Sequence, residues 1–254
     1  MTPTVDVRGL LWTLIRTDFK VRYHGTVMGF LWALMKPAAM FLVLMTVFSL
    51  IFATDPHYKL NLLIGLYLWE FFAEGTKVGL TALAAKGYLL AKTRLPRWIL
   101  IVTAPSNSLL TLLVVSVVLL VTLAVAGPRP PLVCVGLFVL LLVQLVLIVI
   151  GFALGTSSLF LRYRDLNQIW EVVVHAGFFL APIVYPLGIM PQRFHVYLYL
   201  WPPTPIIQYA RMLLVEGQVP TARALALLAG VTAVVFVTGL LLYRRFAPAA
   251  AEHL

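Results

Sequence analysis

From Leu132 to Phe160 the chain runs for 29 residues without a charged side chain. Coiled as an α-helix, that run is about 43 Å long at about 1.5 Å per residue, more than the roughly 30 Å apolar core of a bilayer. A helix that is apolar on every side is buried in a large protein interior or crosses a membrane. Ile99–Ala126 repeats the pattern, Val27–Phe52 and Ala222–Tyr243 repeat it with one basic residue each (Lys36, Arg223), and Leu60–Ala85 and Ile169–Tyr185 follow it with interruptions. With 62% hydrophobic and 11% charged residues, against about 45–50% and about 25% in soluble domains, the chain has no polar shell to wrap these rods. The expectation is an all-α polytopic membrane protein with six transmembrane helices. It forms one transmembrane domain over residues 1–254: an interfacial helix at 7–23, and a six-span body at 27–245 that includes an outer re-entrant region at 186–220.

The chain enters the membrane through Arg16–Pro37. Over residues 7–23, Leu11, Trp12, Ile15 and Phe19 recur at helical spacing, while Arg8, Arg16, Asp18, Lys20 and Arg22 fall mostly elsewhere. Such a helix is too polar to cross and suits the interface. A plain basic anchor and a gate at the cytoplasmic mouth of a pathway both fit it. Residues 1–25 lack the continuous apolar core of a cleavable signal peptide, so none is expected. After a turn at Gly25 the first span carries Lys36 and Pro37 about a third of the way in. Lysine there must snorkel or face protein or water, and proline kinks the helix.

The second span contains Glu70, Glu74 and Lys77, spaced four and three apart and therefore on one face. Glu70 lies about 15 Å from the outer end. A carboxylate at that depth is a functional-site hypothesis by default. Tyr67, Trp69, Phe71 and Phe72 crowd the same level, either as a sugar-stacking belt in a conduit or as packing and lipid-facing aromatics. Residues 86–98 form a basic loop whose short helix stops before Pro96. Gly151 and Gly155 give the fourth span a small-residue face for close packing. Glu171 lies near the inner end of the fifth span, and lone His175 suits packing or hydrogen bonding. Residues 186–220 are too rich in proline for one span, and short re-entrant or interfacial helices fit them.

The net charge of +10 sits at the junctions between apolar blocks. Lipid headgroups, not nucleic acid, are the expected partners. With both termini inside, twelve of the nineteen Lys and Arg residues flank the inner face and five, Arg211 among them, fall on outer segments, as the positive-inside rule asks. The one cysteine, Cys134, offers neither a disulfide framework nor a thiolate metal site. There is no phosphate-binding loop, no HExxH, no nucleophile elbow and no metal-spaced carboxylate cluster. No catalytic residue, metal site or cofactor is expected in this chain. Uphill transport would draw on a partner or an ion gradient.

Four segments, in this order, resemble the permease subunits of polysaccharide-exporting ABC transporters, the type 2 exporter class that handles O-antigen, capsule and teichoic acid chains. They are DFKVRYHGTVMGFLWALMKP at 18–37, KGYLLAKTRLPRWIL at 86–100, LRYRDLNQIWE at 161–171 with APIVYP at 181–186, and WPPTPIIQYAR at 201–211. Trp201-Pro202 stands where relatives often show Asn-Pro. The resemblance implies a substrate entrance at the interfacial helix, with Lys20, Arg22 and Tyr23 matching best. Lys36 joins Lys20 and Arg22 as a candidate to attract a lipid-linked pyrophosphate. It implies a conduit, for which Tyr67, Trp69, Glu70, Phe71, Phe72, Glu74, Phe178, Phe179 and Tyr185 are the candidate lining. It also implies docking of an ATPase through Lys92, Arg94, Pro96 and Arg97 and through the Arg162–Asp165 loop. The implied assembly is two permeases with two nucleotide-binding ATPase subunits, which hold the ATP and Mg. It sits in a bacterial inner membrane, multi-pass with both termini cytoplasmic, and moves a lipid-linked glycan.

Three other readings stay open on the residues. One is a proton-coupled secondary carrier using Glu70, Glu74 and Lys77. Another is a membrane-embedded glycosyltransferase or hydrolase using Glu70 and Glu74. The third is a drug or lipid exporter of the same permease class. The glycan itself, O-antigen, capsule or teichoic acid, is not specified by the residues.

Overall fold

The computed structural model describes residues 7–25, 27–52, 55–87, 89 and 95–247, and these are all-helical with no strand. In chain order the helices are α1 (Val7–Tyr23), α2 (Leu31–Phe48), α3 (Tyr58–Ala85), α4 (Arg97–Thr103), α5 (Ser106–Ala126), α6 (Leu132–Arg162), α7 (Leu166–Leu180), α8 (Gln192–Leu200), α9 (Pro203–Arg211) and α10 (Ala222–Phe246). A 3₁₀ turn at Leu187–Ile189 precedes α8, and a π turn at Met212–Glu216 follows α9. Among the described residues four stretches are long and apolar enough to cross a membrane: α2, the run Arg97–Val125, α6 and α10. At 28 residues α3 also has the length, but it carries Glu70, Glu74 and Lys77 in its middle.

The breaks follow from proline chemistry. The expected third span is interrupted at Ala104-Pro105, which divides α4 from α5. The expected fifth span, Ile169–Tyr185, stops helical geometry at Leu180. Ala181 is extended (ψ 133°) because the ring of Pro182 disfavours the helical region for the residue before it. Pro203 opens α9 at a position where its missing N–H costs nothing. Thr221 caps α10, its Oγ1 accepting from the N–H of Ala224 at 3.3 Å. Just after α1, Gly25 has a φ of +75°, in the left-handed region that favours glycine.

α3 is the axis of the fold, buried for most of its length against α6, α5, α9 and α7. α6 and α10 form the closest pair. A Cβ on Gly239 would lie 1.8 Å from the carbonyl oxygen of Gly151, so the two backbones touch, as small residues permit in membrane helices. Gly155 faces Gly239 from the same side.

Non-helical backbone survives among apolar helices only when its polar groups find partners. The break after α7 finds them largely in one side chain. Arg211 donates from Nη1 to the Pro182 carbonyl (2.7 Å), from Nη2 to the Ile183 carbonyl (2.9 Å) and from Nε to the Asn61 carbonyl (2.9 Å). The Tyr58 hydroxyl donates to the next carbonyl, Val184, at 2.9 Å. Charge patterning alone sets Arg211 among the outer flanking cations. The structure instead buries it, 6% exposed.

Candidate substrate cleft beside α3

The charged face expected on α3 is present, and each member is paired with a different element. Glu70 Oε1 lies 3.0 Å from Lys36 Nζ of α2, Glu74 Oε1 lies 2.7 Å from Arg22 Nη2 of α1, and Lys77 Nζ lies 3.1 Å from Glu171 Oε1 of α7. All three cations keep substantial solvent exposure. Such pairs contribute about 0–1 kcal/mol each, weak enough to be exchanged for another partner. A further pair, Lys86 with Asp18, ties the end of α3 to α1.

Two cavities share this ladder. The larger, about 420 Å³, opens between α2, α3 and α7. Its wall is aromatic, with Trp69 of α3 and Trp170, Phe178 and Phe179 of α7. Its rim carries the Lys36–Glu70 and Lys77–Glu171 pairs with His175. The smaller, about 80 Å³, lies between α1, α2, α3 and α5. Lys36, Glu70 and Glu74 line both, so the Lys36–Glu70 pair and the Glu74 carboxylate stand at the partition between them.

Behind the aromatic wall the rings continue inward. Trp69 packs on Phe72 (5.7 Å between centroids), Phe178 (6.0 Å) and Trp201 (6.3 Å), and Trp170 packs on Phe152 at 4.1 Å. Trp170 Nε1 donates to Thr76 Oγ1 at 3.0 Å, which fixes its orientation. Trp201 lies directly over Gly177, whose Cβ would meet the indole at 2.7 Å. Trp69, 4% exposed, backs this wall, while Trp170, Phe178 and Phe179 present their rings without having to be ordered first.

The sequence-selected residues divide among these places. Trp69, Glu70, Glu74, Phe178 and Phe179 line the larger cleft. Tyr67 and Phe71 wall the smaller cavity. Phe72 lies in the ring cluster, against Trp69, Trp170 and Trp201. The Tyr185 hydroxyl donates to the carbonyls of Phe179 and Leu180 (3.2 and 3.1 Å), closing the C-terminal end of α7. Arg22, Tyr23 and Lys36 meet at the smaller cavity, while Lys20 is exposed on α1. Burial pushes the Tyr23 phenol above its ordinary pKa, so it stays a neutral hydroxyl.

At the other group of sites, Pro96 caps α4 in extended geometry, and Arg97 donates to the Ala247 carbonyl just after α10. The Arg162 guanidinium lies over the Tyr163 ring at 5.4 Å, and Asp165 begins α7. Lys92 and Arg94 lie outside the described residues. Trp170, Lys77 and Glu171 also belong to the cleft. The signal for them in sequence was slight: Lys77 on the Glu70 face, and Trp170-Glu171 at the start of an apolar run. His175 bonds through Nδ1 to the Glu171 carbonyl at 2.7 Å. Among the described residues no three His, Cys, Asp or Glu side chains converge on a possible metal position.

The model of the ABC-2 type transporter family matches residues 9–215, from α1 through the π turn after α9. The chain belongs to that family. This ABC-2 permease is similar to the O-antigen export system permease protein RfbA of Myxococcus xanthus, with 29% identity over 89% of this chain and 88% of the relative. It is also similar to the protein of the same name from Klebsiella pneumoniae, with 28% identity over 73% of this chain and 72% of the relative. The polysialic acid transport protein KpsM of Escherichia coli is 26% identical over 91% of both chains. The family match encloses both cavities and all three ion pairs of the ladder, and ends before α10.

Proposed function

We propose that this permease is the membrane half of an ATP-driven exporter that carries a lipid-linked polysaccharide out of the cytoplasm across a bacterial inner membrane. The observation that carries the reading is the larger cleft, with its wall of Trp69, Trp170, Phe178 and Phe179 under a rim of ion pairs. A glycan presents flat apolar sugar faces and a ring of hydroxyls. Aromatic platforms take the first and weakly held charged groups the second. The names of the relatives, O-antigen and polysialic acid transport proteins, support the same substrate class.

In this reading α3 and α7 join the four apolar stretches to make six spans, both termini are cytoplasmic, and residues 186–220 re-enter from the outer side. α1 lies in the inner interface as the gate, with Lys20, Arg22, Tyr23 and Lys36 at its mouth. Two copies pair to close the conduit, and two ATPase subunits dock against Lys92, Arg94, Pro96 and Arg97 and against Arg162–Asp165. Hydrolysis takes place on those subunits, with their ATP and Mg.

The test is glycan export in cells that depend on this permease. Phe178→Ala and Phe179→Ala should each lower surface glycan by about tenfold, the effect expected from losing about 1–1.5 kcal/mol of ring contact. Surface glycan unchanged in both variants would remove the cleft from the pathway.

A further inference from the structure

A third cavity lies apart from the ladder, between α4, α6 and α10, with a volume of about 340 Å³. Each helix gives it one stripe. Trp98 and Val102 are four apart on α4, and Phe236, Leu240 and Arg244 follow one another at four on α10, so each set shares a face. Ile150 of α6 completes the wall. Val102, Ile150, Phe236 and Leu240 are half-buried, and Trp98 and Arg244 are exposed, so these side chains are open to an occupant. From Phe236 to Arg244 the groove follows α10 for about 12 Å, close to the roughly 15 Å apolar depth of one membrane leaflet.

The wall is hydrocarbon, and one end is positive. Arg97 opens α4 and donates to the Ala247 carbonyl after α10, so the start of α4 and the end of α10 meet there. Arg244 and Arg245 stand at the same end, beside Tyr243 and Trp98, residue types that favour the membrane–water interface. No Asp or Glu occurs in α4, α6 or α10. Among the described residues neither Arg244 nor Arg245 belongs to an ion pair. An empty apolar groove forfeits the dispersion contacts of its lining, and cations beside a membrane attract anionic headgroups. The groove therefore suits a hydrocarbon chain and a negative head carried by one molecule.

We propose that this groove binds one anionic phospholipid of the surrounding membrane, with an acyl chain along Phe236 and Leu240 and the phosphate at Arg244. The chain fills the space between α4 and α10, and the headgroup supplies the countercharge that these helices lack. The site is separate from the aromatic cleft, and the proposal does not depend on the cargo being a polysaccharide.

The experiment is native mass spectrometry of the full-length permease purified with its ATPase, delipidated and titrated with dioleoyl phosphatidylglycerol or dioleoyl phosphatidylcholine. One phosphatidylglycerol per permease copy should bind about fivefold more tightly than phosphatidylcholine, the effect of one cation on an anionic headgroup. Arg244→Gln should remove that preference. Arg223→Gln, which changes an exposed cation at the other end of α10, should leave it unchanged. Leu240→Trp and Val102→Phe fill the groove from α10 and from α4, and each should weaken both lipids about tenfold; one suffices where the other does not assemble. Equal binding of the two lipids by the wild type, a preference that survives Arg244→Gln, or lipid binding unchanged in the filling variants would overturn the proposal. Displacement of phosphatidylglycerol by farnesyl pyrophosphate at equal concentration would make the groove a site for a polyprenyl carrier and overturn it. Loss of one permease copy from the complex in both filling variants would make it an interface between copies, with the same consequence.

Discussion

The guanidinium of Arg211 hydrogen-bonds the backbone carbonyl of Ile183, 28 residues earlier in the chain, at 2.9 Å. With its bonds to Pro182 and Asn61, this side chain shares the polar load of the break after α7 with the hydroxyls of Tyr58 and Tyr185. Removing it leaves three buried carbonyls without that donor. Arg211→Met should lower stability by about 3–5 kcal/mol, read as a fall in unfolding temperature in detergent. Gly65→Ala should act in the same direction, because its Cβ would lie 2.7 Å from Arg211 Nη2.

The α6–α10 contact gives an independent test of the fold. Gly239→Ala places a methyl against the Gly151 carbonyl with backbone on both sides, and should destabilise by about 1–3 kcal/mol or more. Gly230→Ala, in the same helix with nothing within 4 Å, should be neutral or stabilising by up to about 1 kcal/mol. Equal unfolding temperatures for the two variants would contradict the α6–α10 packing.

The ion-pair ladder is exposed and weak, so its glutamates should modulate transport without being indispensable to it. Replacing Glu70 and Glu74 together by Gln should leave reduced but measurable glycan export. Complete loss, with normal membrane insertion, would point to proton coupling or catalysis through these carboxylates. A double-mutant cycle on Lys36 and Glu70 should return a coupling of about 0–1 kcal/mol that shrinks with added salt.

Reversing charge at Arg94 and Arg97 should weaken binding of the ATPase subunit, or stimulation of its hydrolysis, with insertion intact. Arg97 also holds the Ala247 carbonyl after α10, so Arg94→Glu is the cleaner variant. Normal ATPase coupling in the double variant would remove this loop from the mechanism.

The helices and their breaks were legible in the sequence because each depends on local facts. Apolar length sets a helix, and Pro182, by constraining Ala181, ends one. The shared face of Glu70, Glu74 and Lys77 was legible too, since spacing alone fixes it. Their partners were not. Arg22 lies 52 residues from Glu74, and Glu171 lies 94 from Lys77, separations that only the packing of α1 and α7 on α3 brings together. Arg211 was misplaced for a related reason. Composition counts a cation and its flank but carries no record of which carbonyls a proline break leaves open. Trp201, conspicuous only as a departure from a family pattern, turns out to fill the space above Gly177.

The central claim is that this chain provides a passage while a nucleotide-hydrolysing partner supplies the work. The measurement closest to it is glycan translocation into proteoliposomes holding the permease alone or with its ATPase, with and without ATP, under an imposed proton gradient. Movement is expected only when ATPase and ATP are both present, whatever the gradient. Translocation by the permease alone, driven by protons, would contradict it.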